Sequence, residues 1–95
     1  MVKHIVMWTL KEKNQDKALE IKKGLEGLKE KLSYIKFIEV GINFNTTDSA
    51  YDIVLNSDFE TKEDLEKYQV SEEHLKVAAK VREAVSKRAV VDYEY

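Results

Sequence analysis

Val2 to Leu10 alternates so that His4, Val6, Trp8 and Leu10 share one face of a strand while Ile5 and Met7 share the other. Apolar side chains on both faces need cover on both sides, so this segment predicts a sheet held between two layers. A histidine inside such a run requires a polar partner or a pocket that receives it. The second histidine, His74, falls on the apolar stripe of a late helix, with Tyr68 six residues before it. The chain thus offers three polar side chains that can meet in one cavity.

The rest of the chain supplies the other elements. Asn14 is placed to cap a helix in which Ala18, Ile21, Leu25, Leu28 and Leu32 recur at intervals of three and four. Gly24 lies inside this helix, where close approach to the sheet accounts for the missing side chain. Tyr34 to Ile42 reads as a second strand, with Ile38, Val40 and Ile42 opposite Phe37, Glu39 and Gly41. Asn43 to Ser49 has loop composition and is expected to overhang a pocket, and Tyr51 to Phe59 resumes as a strand. There Tyr51, Ile53 and Leu55 oppose Asp52, Val54 and Asn56.

Thr61 followed by Asp64 has the spacing of a capping box before a short helix that carries Leu65 and Tyr68. Ser71 caps another, with Glu72 and Glu73 in its first turn and His74, Val77 or Ala78, Val81 and Val85 on one stripe. Ala89 to Tyr95 closes the chain as a fourth strand. This order predicts an α+β fold: a ferredoxin-like βαββαβ subunit with an extra short helix, its helices on one face of a four-stranded antiparallel sheet. His4, Val6 and Trp8 are assigned to the other face, where an identical chain would serve as the second layer.

Ninety-five residues, 43% of them apolar and 36% charged, make one small domain over residues 1–95 with one core. A chain of this size buries only roughly 60% of its unfolded surface, which favours a homodimer. Sixteen Lys and Arg against 18 Asp and Glu, interleaved along the chain, argue against a nucleic-acid surface. Absence of cysteine excludes disulfides, thiolate nucleophiles and thiolate metal sites. The apolar runs fall short of the about 20 residues that span a bilayer, and Met1 leads into a strand rather than a signal segment. No membrane partner and a cytoplasmic location are expected. Two histidines without a compact ligand motif give no metal site, and Gly24, Gly27 and Gly41 form no phosphate loop, so no cofactor is expected.

Val2-Lys3-His4-Ile5-Val6, Glu39-Val40-Gly41, Tyr51-Asp52, Phe59-Glu60, Asp64-Leu65-Glu66-Lys67-Tyr68, His74 and Val90-Val91-Asp92-Tyr93 follow one another across nearly the whole chain. In this order and spacing they resemble the stress-responsive dimeric α/β barrel family, which includes the plant enzyme olivetolic acid cyclase. The resemblance implies a subunit whose sheet pairs with its twin's to close a dimeric α/β barrel, and a mainly apolar cavity beneath the helices. The cyclase closes a linear polyketide by an intramolecular aldol condensation without metal or organic cofactor. Matching motif to motif places its reactive residues on His4, Tyr68 and His74. Where the family usually has histidine-proline-alanine-histidine, this chain reads Ser71-Glu72-Glu73-His74.

An aldol closure needs a base for the proton beside a carbonyl, a donor to the electrophilic carbonyl and a proton for the alkoxide. Histidine, with an ordinary pKa of about 6.5, serves either role near neutrality, and tyrosine, near 10, serves as a donor to an oxyanion. His74 is assigned as base, Tyr68 as its partner and His4 as polarising donor. Each also has a structural reading: a hydrogen-bonded core histidine, or a packed ring with its hydroxyl toward a partner. Val6, Trp8, Ile38, Val40, Ile53 and Leu55 are assigned to the pocket or the intersubunit core, and Asp52 and Asp92 to strand ends or partner contacts. The leading expectation is a protein that binds a small apolar or aromatic metabolite. A cofactor-independent cyclase or isomerase, and a structural stress protein without catalysis, are the alternatives, so enzyme activity is left open.

Overall fold

Side-chain caps set where the main helices begin. Asn14 Oδ1 accepts the Lys17 N–H at 3.1 Å, Thr61 Oγ1 the Asp64 N–H at 3.1 Å, and Ser71 Oγ the His74 N–H at 3.2 Å. The computed structural model, which describes residues 1–95, accordingly runs β1 (Val2–Leu10), α1 (Gln15–Glu26), α2 (Leu28–Lys31) and β2 (Ile35–Ile42). It continues through β3 (Ile53–Phe59), α3 (Lys62–Val70), α4 (Glu72–Ala84) and β4 (Val85–Glu94). All five positions of the expected first stripe are buried, but a break at Gly27 leaves Ala18, Ile21 and Leu25 in α1 and Leu28 in the single turn of α2, with Leu32 following it in extended conformation. Gly24 faces a helix, not the sheet: a Cβ there would meet Val77 Cγ1 of α4 at 3.4 Å. Val85, read as the end of a helical stripe, instead opens β4 opposite Leu10.

The strands lie in the order β2-β3-β1-β4 with every neighbouring pair antiparallel. The expected closure into a dimeric α/β barrel is corrected here: the sheet is open, with β2 and β4 as its free edges. These edges stand three strand spacings apart, about 14 Å, and have no ladder between them. Periodicity identifies strands but carries nothing about whether the first and last of a sheet meet.

Cross-strand partners share a face, and the register therefore sorts the residues. His4 stands opposite Ser57 and Asp92, Val6 opposite Leu55 and Val90, and Trp8 opposite Ile53 and Arg88. That face lies beneath the helices, where Val6 and Trp8 join Leu25 of α1 and Val81 of α4 in the core. The placement of His4, Val6 and Trp8 on the uncovered face is thus reversed. Lys3, Ile5 and Met7 of β1, with Val54, Asn56 and Asp58 of β3 and Val91 and Tyr93 of β4, form the open face. Because β1 is apolar on both sides, its alternation pairs the residues correctly without saying which set the helices cover.

Side chains of α1 close the free edge of β2. Glu26 Oε2 accepts the Val40 N–H at 2.9 Å and Lys22 Nζ at 2.7 Å, while Lys22 also donates to the Val40 carbonyl at 2.7 Å. Both peptide groups that an edge strand would offer to another chain at this point are thereby occupied. Burial opposes ionisation of Glu26, but Lys22 and the Val40 N–H outweigh it and hold the carboxyl below its usual range. Asp52 does similar work beside β3, accepting the Leu10 N–H at 2.7 Å and Lys13 Nζ at 2.6 Å. No helix is long and apolar enough to cross a membrane.

Candidate functional site

Ser71 fixes the junction between α3 and α4. Its hydroxyl donates to the Tyr68 carbonyl at 2.8 Å and accepts the His74 N–H, so one side chain ties the last turn of α3 to the first turn of α4. Tyr68 and His74, three residues to either side, are brought against each other above His4 of β1. Their ring centroids lie 4.4 Å apart, and the His4 ring meets Tyr68 edge-on at 6.2 Å. Phe59, fully buried, packs on the other side of Tyr68 at 5.1 Å. Three side chains from two helices and a strand are brought together.

His4 is 2% exposed, and its Nδ1 lies 2.5 Å from Asp92 Oδ1 on the neighbouring strand. An ionised carboxylate only accepts, so Nδ1 carries the proton and Nε2 is the ring nitrogen without a protein partner. His74 shows the same logic with a different acceptor: its Nδ1 lies 3.1 Å from the Gln69 carbonyl, which assigns the proton to Nδ1 and the lone pair to Nε2. Burial pushes the His74 pKa below 6.5; the Gln69 contact opposes this, and repulsion from His4, Arg88 and Arg82 adds to it. His74 is therefore neutral near pH 7 and able to accept a proton.

Tyr68 is wholly buried and its hydroxyl has no hydrogen-bond partner. Burial drives the phenol pKa well above its ordinary value of 10.0, and the neighbouring Tyr34 adds to that shift. The group is a donor awaiting an acceptor, not a phenolate. An orphaned buried hydroxyl is costly, and its presence beside two histidines marks this as a place where structure alone does not settle the polar accounting.

A cavity of 310 Å³ opens between the sheet and helices α1 and α4. His4, Val6, Trp8, Leu25, Leu55 and His74 are on its wall, and Arg82 and Arg88 complete it on the solvent side; Tyr68, wholly buried, is not on the wall. Among the residues assigned to pocket or interface, Val6, Trp8 and Leu55 line this cavity, Val40 and Ile53 are in the core, and Ile38 packs at the core's margin. A larger cleft of 680 Å³ between α1 and α4 is lined mostly by lysines and glutamates and holds none of the three candidate residues. The loop after β2 borders a third depression of 420 Å³ with Phe44 and Met7, away from the histidines. No group of three or more histidine, aspartate or glutamate side chains converges as a metal-ligand set.

Sequence reasoning missed Asp92, which it assigned to a strand end or a partner contact. The available signal was that Asp92, like His4, interrupts an apolar run, standing between Val90-Val91 and Tyr93. Only the register shows that the two are opposite one another. Arg82 and Arg88 were missed as well, because nothing in their spacing indicates a shared cavity.

A family model described as Stress Responsive A/B Barrel Domain matches residues 2–95. No curated protein matches the chain. A dimeric protein of unknown function and ferredoxin-like fold from Bacteroides fragilis is 34% identical, with 99% of this chain and 95% of that chain covered and a TM-score of 0.85. An Arabidopsis thaliana protein is 24% identical over 100% of this chain and 95% of its own, with a TM-score of 0.88. A hydroxynitrile lyase from Passiflora edulis is 21% identical over 97% and 90% of the two chains, with a TM-score of 0.85. The last two likenesses are of fold.

The orphaned hydroxyl yields a direct test. Tyr68→Phe removes a desolvated polar group without changing the ring, so ligand-free protein is expected to hold its stability or gain up to about 1–3 kcal/mol in urea unfolding. A clear loss of stability would show that the hydroxyl already has a partner.

Proposed function

Because the chain belongs to the Stress Responsive A/B Barrel Domain family, with residues 2–95 matched, we propose that it binds a small apolar or aromatic metabolite beneath its helices and works as a homodimer. The observation that carries the binding reading is the 310 Å³ cavity itself, in which two histidines interrupt an apolar wall. Its size is at the lower end of the range of small-molecule sites, about 300–1,000 Å³, and convergent polar groups on an apolar surface are the usual composition of such sites.

The homodimer reading is supported by the open face. Ile5 and Met7 are half-buried there, while Val91 and Tyr93 are 56% and 46% exposed. Ile5, Met7, Val54, Val91 and Tyr93, beside the Lys3–Asp58 ion pair, make a mixed but largely apolar face suited to a partner, and a second copy presents the matching one. The Bacteroides fragilis relative is itself described as dimeric.

One observation favours a second reading, a cofactor-independent cyclase or isomerase. His74 is neutral with Nε2 free, and the unpartnered Tyr68 hydroxyl stands beside it. In this reading His74 Nε2 takes the proton from carbon next to a substrate carbonyl. Tyr68 donates to the oxygen on which charge collects, and His4, its Nδ1 proton held by Asp92, accepts a substrate hydroxyl on its free Nε2. The proton held by His74 then returns to the product, so nothing external is consumed.

Trp8 is the only tryptophan and lines the cavity, so its fluorescence reports occupancy. Titration with 4-butylbenzamide is expected to give a saturable change in Trp8 emission and a matching calorimetric isotherm. Ala78→Phe, which fills the cavity from α4, is expected to remove both while circular dichroism is unchanged; equal binding by this variant would reject the site. Val91→Asp places a charge in the open face and is expected to convert a dimer to a monomer in sedimentation equilibrium, whereas a monomeric parent protein would reject the assembly.

For the catalytic reading, deuterium is expected to enter the methyl group of 4-butylacetophenone in D₂O. His74→Ala should slow this by about 10²–10⁴-fold. Only the neutral imidazole accepts a proton, so the rate should rise with pH through a midpoint below 6.5, in line with the lowered pKa of His74. Exchange that survives in His74→Ala would remove the base from the scheme.

A further inference from the structure

The chain has only two arginines, Arg82 and Arg88; apart from the histidines, every other basic side chain is lysine. Both arginines line the same 310 Å³ cavity. They reach it from different elements, Arg82 from the last turn of α4 and Arg88 from β4, where it stands opposite Trp8. Neither takes part in any of the chain's ion pairs. No acidic side chain lines the cavity, and the one carboxylate on the same sheet face nearby, Asp92, is engaged by His4.

Lysine and arginine are not interchangeable in such a place. A lysine is a strongly hydrated point charge, while the planar guanidinium presents paired donors that match a carboxylate in two parallel hydrogen bonds. A surface that needs only solubility is served by lysine, and this chain uses lysine for it. The fork-shaped cation is confined to one rim.

The cavity has a direction as well as a charge. His4, Val6 and Leu55 at its inner end are buried, whereas Arg82 and Arg88 are exposed. We infer that the cavity takes an apolar molecule carrying a carboxylate, its hydrocarbon body on Val6 and Leu55 and its carboxylate clasped at the mouth by Arg82 and Arg88. The inference rests on the reading of this cavity as a ligand site and narrows the ligand to an acid. Arg82 and Arg88 are then specificity residues: they select the acid and set its orientation, with the histidines facing the part of the molecule that lies deeper.

The test compares 4-butylbenzoic acid with 4-butylbenzamide at pH 7.5, with affinities read by calorimetry and Trp8 emission. The acid is expected to bind about tenfold or more tightly than the amide, since a charge-assisted bidentate contact replaces a neutral one. Its affinity should fall as salt is raised, while that of the amide should not. Arg82→Met and Arg88→Met should each weaken the acid far more than the amide, bringing the two toward one affinity. Arg82→Lys and Arg88→Lys, which keep the charge and lose the fork, should fall between. Acid and amide binding equally to the parent protein, with both lost in Ala78→Phe, would overturn the acid preference while the ligand site stands. Failure of both probes to bind would overturn the site and the acid preference together.

Discussion

The register of β1 against β4 is the constraint on which the candidate site depends. With His4 opposite Asp92, the imidazole buried beneath the helices has an acceptor for its Nδ1 proton, and the ring is held edge-on to Tyr68. A slip of one residue would turn every side chain of β1 to the other face. His4 would then lose its carboxylate and leave Tyr68 and His74, while Ile5 and Met7 would replace it under the helices. The same ladder sets Trp8 opposite Arg88, so the strand side of the cavity wall and one of its two rim arginines are fixed by a single strand pairing.

Local chemistry was legible in the sequence wherever the physics is local. Asn14, Thr61 and Ser71 each cap the helix that their position indicated, because a cap needs only a side-chain oxygen and the amide three residues on. The stripe from Ala18 to Leu32 is buried throughout, because a 3.6-residue period has one apolar side. Properties set by distant parts of the chain were read less well. The choice of face for His4, Val6 and Trp8 went the wrong way because β1 is apolar on both sides. Closure into a barrel was carried over from the family resemblance, and nothing in the chain's own periodicity describes where the sheet's edges end up. The partnership of Asp92 with His4 spans 88 residues and follows from register alone.

Beneath the helices Ser57 donates to the His4 carbonyl at 3.0 Å, and at the β2 edge the Val40 peptide is held on both sides by Glu26 and Lys22, while Asn56 Oδ1 on the open face has no partner. At Tyr68 a fully buried hydroxyl has no answer. A phenylalanine would serve the packing against Phe59 equally well and would avoid the desolvation cost. Local rules broken without structural gain are characteristic of functional positions, where stability is given up for an interaction that the ligand completes.

The cavity and the open face lie on opposite sides of the same two strands, and strand alternation ties them together. In β4, Arg88 and Asp92 look toward the cavity while Val91 and Tyr93 look the other way. This is the most exposed strand of the sheet and one of its two free edges, paired only with β1. Its neighbours on the helix side give it little cover: Val90, on the cavity face, is 44% exposed. A second copy seated against Val91 and Tyr93 would therefore restrain the strand that carries both the orienting carboxylate of His4 and one of the two rim arginines. Loss of that cover loosens β4 first, since an exposed edge strand has the fewest contacts to hold it. Assembly and ligand binding would then be linked through β4, with the partner acting on the site from behind the sheet and touching no cavity residue.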